Sequence, residues 1–244
     1  MEGYEPKTYG ETWAPIYDDV WLEALDPSAA VAFLKELAGT GPALELAIGM
    51  GRVAIPLKAQ GVEVHGIDNS DAMVARLRAK PGGDAIPVTM GDFADVDVEG
   101  HYPLIYVPFN TFFALTTQED QVRCFKNVAA HLHPEGSFVI EVFVPDLLRF
   151  DRHQRTQTNS VKVDSVSIET SRHDPVTQQI SSQHLLVKEG GVELYPVFLR
   201  YAFPPELDLM AQLAGLELAA RYSGWDKGAF TAASTAHVSV YSKA

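Results

Sequence analysis

From residue 43 onward, short apolar runs alternate with segments whose apolar residues recur at helical spacing. The runs at 43–48, 62–67, 86–90, 104–107 and 137–144 read as strands, and the segments at 52–60, 70–80 and 116–132 read as helices between them. Strands that are apolar on both faces and joined through helices predict a parallel sheet covered on both sides. Thr116, with Glu119 three residues on, predicts a capping box at the head of the last of these helices. That helix buries the stripe Val122, Phe125, Val128, Ala129 and Leu132. His133-Pro134-Glu135-Gly136 reads as the turn before the fifth strand.

Beyond residue 150 the grammar changes. Residues 152–160 are polar and read as a loop. The β-rich segments 161–170, 176–188 and 192–203, parted by His173-Asp174-Pro175 and Glu189-Gly190-Gly191, predict a three-stranded antiparallel sheet. Pro196 belongs on an edge or a bulge of it. Pro204-Pro205 opens a helix that ends at Gly215, and 216–222 and 235–241 read as two final strands. Ahead of all this lies a polar arm, then a helix started by Asp26-Pro27 and stopped at Gly39. The division is therefore an N-terminal helical segment (1–40), an α/β core (41–150), an antiparallel β insertion (151–203), and a last helix with two strands that complete the core (204–244).

Composition narrows the class. The chain has 244 residues, 46% hydrophobic and 21% charged, as expected of one large domain or a domain with an insertion. With 19 basic and 32 acidic residues its net charge is −13. Such a surface repels phosphate backbones and anionic lipid, so neither a nucleic acid nor a membrane is the expected partner. Cys124, alone, allows no intrachain disulfide and suits a reducing compartment. No secretory pattern and no apolar run of about 20 residues is present, so the expected location is the cytoplasm.

The strongest local signal is Glu45-Leu46-Ala47-Ile48-Gly49-Met50-Gly51-Arg52-Val53. A strand ends in two glycines and feeds a helix, whose N-terminal amides and close backbone approach suit a ligand. Gly49-x-Gly51-x-x-Ala54 also satisfies the dinucleotide fingerprint, so this turn alone does not choose a cofactor. Asp68 ends the second strand, where a carboxylate can accept both hydroxyls of a ribose. Asp92 ends the third; it can accept from an adenine amino group, while Phe93 offers an apolar face. Each carboxylate alone would pass for a helix cap or a turn residue, but acids at three successive strand ends point to the place where open α/β sheets bind ligands.

These residues, together with Gly66-Ile67-Asp68-Asn69-Ser70-Asp71-Ala72-Met73, Gly91-Asp92-Phe93 and Leu132-His133-Pro134-Glu135-Gly136-Ser137-Phe138, resemble the successive motifs of class I S-adenosylmethionine-dependent methyltransferases. The resemblance covers about residues 41–145. It implies a Rossmann-like seven-stranded α/β sheet with helices on both faces, and S-adenosyl-L-methionine as cofactor. By the same resemblance Gly49 and Gly51 pass under the methionine part, Asp68 binds ribose and Asp92 contacts adenine. Tyr17, Glu45, Asn69, Met73, Phe93 and Val107 complete the implied cofactor set. Met50 stands where the family often has Thr or Ser. Tyr17-Asp18 is similar to an N-terminal segment that covers the cofactor in small-molecule members, the glycine- and aminosugar-N-methylating types among them. In those proteins, strands inserted after the fifth strand cap the active site or form a dimer contact, and 151–203 sits in that place.

The implied reaction moves a methyl group to N or O of a small-molecule acceptor. On the acceptor side, Phe109, Asn110 and Phe113 follow the fourth strand, with core packing the competing reading for Phe112 and Phe113. His153, in the loop after the fifth strand, is the candidate general base. Glu141, within that strand, is a candidate for holding a substrate amine, and Asn110 for orienting a nucleophile. No histidine–carboxylate spacing suggests a metal. Two rival classes share part of this pattern: a nicotinamide-dependent oxidoreductase, and a catalytically silent methyltransferase fold used for binding. Glu45, Asp92 and the helical prelude speak against the first, and the intact Gly49, Gly51, Asp68 and Asp92 against the second.

Overall fold

The computed structural model describes residues 1–17 and 26–244, so the expectation placed on Asp18 lies outside the described residues. The core strands are β1 (Ala43–Leu46), β2 (Val64–Asp68), β3 (Val88–Met90), β4 (Tyr102–Val107), β5 (Leu132–Phe143), β10 (Leu216–Tyr222) and β11 (Ala236–Lys243). They form one sheet in the order β10-β11-β5-β4-β1-β2-β3, in which β11 runs antiparallel to β5 and to β10, while the other pairs are parallel. Period-two alternation splits the strand residues between two apolar layers. Leu44, Leu46, Ile105, Val107, Phe138 and Ile140 pack with Phe112 and Phe125 beneath α5 (Gln118–His131) and α6 (Pro204–Leu213). Ala43, Leu104, Tyr106 and Val139 pack on the other side against α2 (Ser28–Ala38), α3 (Ala54–Ala59) and α4 (Asp71–Ala79). Among the described residues no helix is long and apolar enough to cross a membrane.

Three local expectations shift. The cap of α5 is one residue later: Thr117 Oγ1 accepts the Asp120 N–H at 3.1 Å and donates to the Asp120 carboxylate at 2.7 Å. The stretch 133–136 is not a turn ahead of the fifth strand. β5 runs through it, and the register with β4 jumps from Tyr102↔Leu132 to Leu104↔Ser137, which makes it a bulge. The polar stretch 152–160 is largely strand rather than loop, and the antiparallel sheet has four strands instead of three: β6 (Gln154–Val161), β7 (Ser165–Asp174), β8 (Gln179–Lys188) and β9 (Gly191–Arg200). Its alternation is polar on polar, so hydrophobic patterning carries no strand signal there. Pro196 lies in the edge strand β9, where a missing N–H costs no ladder bond.

A buried side chain helps join this second sheet, the cap, to the core. Arg200, at the end of β9, donates to Gln121 Oε1 at 2.6 Å and to Glu206 Oε1 at 2.7 Å, which ties the cap to α5 and α6. Gln121 Nε2 answers by donating to the Arg200 carbonyl at 2.8 Å. A short helix, α1 (Thr8–Trp13), bridges from the other direction. A side chain at Gly10 would place its Cβ 2.4 Å from Ser70 Cβ, so only glycine lets α1 sit on the N-terminus of α4. Ser70 Oγ donates to Glu11 Oε1 at 2.8 Å across that contact.

Candidate active site

A cavity of about 370 Å³ opens at the carboxyl ends of β1, β2, β3 and β4, between the core, α1 and the cap. Its floor is the turn after β1. Ala47 and Gly49 both take left-handed backbone conformations, at φ 54° and 55°. A Cβ on Gly49 would meet open space, with its nearest neighbour 4.0 Å away. The Gly49 N–H donates to Asp68 Oδ2 at 2.7 Å, and the Ser70 N–H to Asp68 Oδ1 at 2.9 Å. Asp68 thus fastens the glycine turn to the end of β2 and keeps further lone pairs for a ligand. Burial raises its pKa above the ordinary value, against the backbone N–H bonds that lower it.

Glu45 lies beneath this turn, 3% exposed, and accepts the Tyr106 hydroxyl at 2.8 Å. Burial pushes its carboxyl up to about 8, while the Tyr106 bond and the Arg52 charge pull the other way. Asp92 lines the cavity with Phe93, and its Oδ1 also accepts the Ala94 N–H at 2.9 Å, a local turn bond. The opposite wall is the loop after β4. Phe109 and Asn110 are consecutive left-handed residues, at φ 58° and 62°, a conformation that costs a bulky side chain and persists where its surroundings enforce it. The enforcement comes from β5: Glu141 Oε2 accepts the Phe109 N–H at 2.7 Å, the Glu141 carbonyl accepts the Asn110 N–H at 2.9 Å, and Asn110 Oδ1 accepts the Phe143 N–H at 2.7 Å. The Arg52 guanidinium sits 5.1 Å from the Phe109 ring centroid.

Of the expected residues, the cavity brings together Tyr17, Glu45, Gly49, Asp68, Asn69, Met73, Asp92, Phe93, Phe109 and Asn110. Five others stand apart from its lining. Gly51 packs against the core instead: a Cβ there would come within 2.3 Å of Leu77 Cδ1. Val107 and Phe113 are fully buried, the latter edge-on to Phe143 at 5.0 Å. Glu141 lines a separate hollow of about 70 Å³ with Asp26, Arg52 and Trp225, its carboxylate engaged on the Phe109 backbone rather than presented to an amine. His153 is exposed in the turn between Asp151 and Gln154, just ahead of β6, the edge strand opposite β9, with its ring 6.0 Å from His173. The overhead position expected of it as a base is not where the chain goes.

Sequence reasoning missed the roof. Tyr4, Tyr9, Trp13, His184, Val197, Phe198 and Leu199 all line the cavity. Trp13 stacks on Tyr9 at 5.6 Å and meets His184 and Tyr195 at 5.2 Å. The available signal was alternation in β8 and β9, which places His184 and Val197 on the inward face once the strands are paired. Among the described residues no group of histidine, cysteine or acidic side chains is placed to hold a metal ion.

Comparison with known proteins fits this geometry. The family described as "Methyltransferase domain" matches residues 43–136, the segment that builds the cavity floor. The structure of the CcbJ methyltransferase from Streptomyces caelestis superposes with a TM-score of 0.93 at 39% identity, covering 99% of this chain and 100% of that one. The cypemycin N-terminal methyltransferase of a Streptomyces species is 27% identical over 219 residues, 88% of this chain and 89% of the relative. The dTDP-4-amino-2,3,4,6-tetradeoxy-D-glucose N,N-dimethyltransferase of Saccharopolyspora spinosa is 32% identical over 99 residues, 40% of this chain and 39% of the relative.

Proposed function

The chain belongs to the class I S-adenosylmethionine-dependent methyltransferases, and on that premise we propose that it methylates the nitrogen of a small-molecule amine. The observation that carries this reading is a single cavity walled on one side by Gly49, Asp68 and Asp92 at the strand ends and on the other by the cap residues His184, Val197 and Phe198. The residues present suit the cofactor. Gly49 leaves room for a ligand against the backbone, Asp68 has acceptor capacity for ribose hydroxyls, and Asp92 with Phe93 offers an acceptor and an apolar face for adenine. When bound, S-adenosylmethionine supplies a methyl group already activated on a positive sulfonium.

The chain's own residues then do the work of alignment. Tyr4, Tyr9, Trp13, Phe109 and Phe198 line the cavity with aromatic rings, which attract cationic groups and keep water out. The clamped Phe109–Asn110 pair fixes one wall, so the acceptor meets a rigid surface. Preference for nitrogen over oxygen is supported by the N-methylating relatives named above. The test is labelled methyl transfer from the cofactor to matched amine and alcohol acceptors, read by mass spectrometry. Label on amines supports the reading; label on alcohols alone overturns it. We infer also that 151–203 acts as the acceptor's cap and that the protein works in a reducing cytoplasm, in keeping with its one cysteine, Cys124, buried as a free thiol.

We further infer a homodimer through the outer face of the cap. Val161, Val166, Val187 and Val192 lie opposite one another across its strands, as do Thr158, Ile168, Leu185 and Leu194. Val161 is 73% and Leu194 53% exposed. A second copy offering the same uncharged rows keeps two chains of net charge −13 apart everywhere else.

A further inference from the structure

Among the described residues His184 is the histidine that lines the main cavity. It projects inward from β8, and the Trp13 indole meets its ring edge-on at 5.2 Å. Neither ring nitrogen has a hydrogen-bond partner among the described residues. By contrast, His65, His173 and His237 each commit a ring nitrogen to a hydroxyl, at 3.0, 2.9 and 2.8 Å. The neighbours of His184 across the strands are Glu169 on β7 and Tyr195 on β9. Tyr195 turns its hydroxyl to Glu193 at 2.9 Å, and Trp13 brings no charge. Glu169 is the charged group set against the imidazole; it also accepts the Ser171 hydroxyl at 2.9 Å, which fixes its carboxylate. Burial lowers the pKa of His184 below the ordinary histidine value, and the Glu169 charge opposes that. The ring is therefore a neutral acceptor near pH 7, backed by a carboxylate that favours its protonated form.

We propose that His184, with Glu169 behind it, holds an amine acceptor by its N–H group and takes the proton which that nitrogen must shed; the proposal rests on the methyl-transfer reading above. The acceptor enters as an ammonium. Its N–H bond breaks and the proton goes to an imidazole nitrogen of His184. The freed lone pair forms the N–C bond as the methyl carbon parts from sulfur, and that electron pair stays on sulfur. Two positive charges enter, on ammonium and sulfonium, and two remain, on imidazolium and the methylated ammonium. Enclosure in the cavity eases the transfer, because burial lowers an amine's pKa towards that of an imidazole.

The probes are piperidine and its oxygen counterpart tetrahydropyran. Each is titrated into the full chain saturated with S-adenosylhomocysteine, and the imidazole nitrogen signals of His184 are followed by NMR, assigned through their loss in His184→Gln. Piperidine should shift them saturably and tetrahydropyran should not. Glu169→Gln should weaken the piperidine effect by up to about fivefold, as for a partly exposed charge interaction. Affinity for S-adenosylhomocysteine should be the same in both variants. Equal shifts with both probes, or none with either, overturn the proposal. So does a collapse of S-adenosylhomocysteine affinity in His184→Gln, which would assign the ring to the cofactor. If the wild-type protein binds no S-adenosylhomocysteine, the cofactor reading falls and takes this proposal with it.

Discussion

The mostly parallel core and the antiparallel cap meet at one cavity but are built on opposite principles. The core buries both faces of its strands, so Phe125 can contact Phe112, Phe138 and Tyr241 edge-on at 5.3 to 5.5 Å or nearby through shared packing. Its contribution to the cavity sits at the rims, where Gly49, Asp68 and Asp92 end up because strands stop there. The cap buries one face only, and that face is unusually polar, with Ser171 and Ser182 bonded to each other at 2.8 Å beside Glu169 and His184. Binding a cofactor common to a whole family suits a rigid site fixed by backbone geometry. Reading an acceptor suits a sheet face whose side chains can change without disturbing the packing beneath.

Phe125→Ala is the harshest test of that contrast. Phe125 is fully buried, and its truncation should cost about 3–5 kcal/mol of folding stability, measured by urea denaturation. A loss under about 1 kcal/mol would mean that the core collapses around the gap and is not the rigid layer its contacts describe. Asp68→Ala acts next, at the rim. It removes the acceptor for the Gly49 and Ser70 amides, so affinity for S-adenosylmethionine should fall by roughly 1.5–3 kcal/mol, the cost of bonds to a charged group. Calorimetry checks this, and unchanged affinity in a folded variant removes Asp68 from the ribose assignment.

The same division explains what the sequence discloses. Core strands announce themselves as apolar runs, and their ends coincide with Gly49, Asp68 and Asp92, so ten of the residues expected at the site do line the cavity. Where reading failed, position along the chain was a poor guide to direction in space. Asn110 lines the cavity and Glu141 a separate hollow, yet the side chains of both bond backbone amides at the β4 and β5 ends. His153 follows β5 in sequence but lies in an exposed turn ahead of the edge strand β6, while His184, more than thirty residues on, returns to the cavity. That return depends on strand pairing in β7, β8 and β9, which no local pattern encodes. Strand β6 was invisible because Gln154, Arg155, Thr156, Gln157 and Thr158 alternate polar with polar.

Glu45 offers a gentler probe of the core, through pH. Its carboxyl has a pKa of about 8 in the folded protein against an ordinary 4.5. Below 4.5 folded and unfolded chains both hold the proton, and nothing is lost. Between 4.5 and about 8 the unfolded chain releases a proton that the folded one retains, so stability falls as pH rises, and the loss is complete above that window. Glu45→Gln keeps an acceptor for the Tyr106 hydroxyl and has no proton to lose. Its melting temperature should match the wild type at pH 5 and exceed it increasingly towards pH 8 in the absence of ligand. Parallel pH profiles for the two proteins would show that Glu45 is already ionised in the fold.

The smallest effect on folding belongs to the outer face of the cap. Leu194 is 53% exposed on the edge strand β9, so Leu194→Ser removes little apolar burial and should leave stability within about 0.5 kcal/mol. The same change should act strongly on association. Leu194 stands opposite Leu185, which in turn stands opposite Ile168, and these form one of the two apolar rows offered to a second copy. In an isologous contact each substitution enters the interface twice, once from each chain. Sedimentation should therefore move from dimer to monomer in Leu194→Ser, while the thermal melt at high dilution stays in place. A monomeric wild-type protein, or a variant that sediments as the wild type does, removes the dimer and leaves the cap's outer face as plain solvent-exposed sheet.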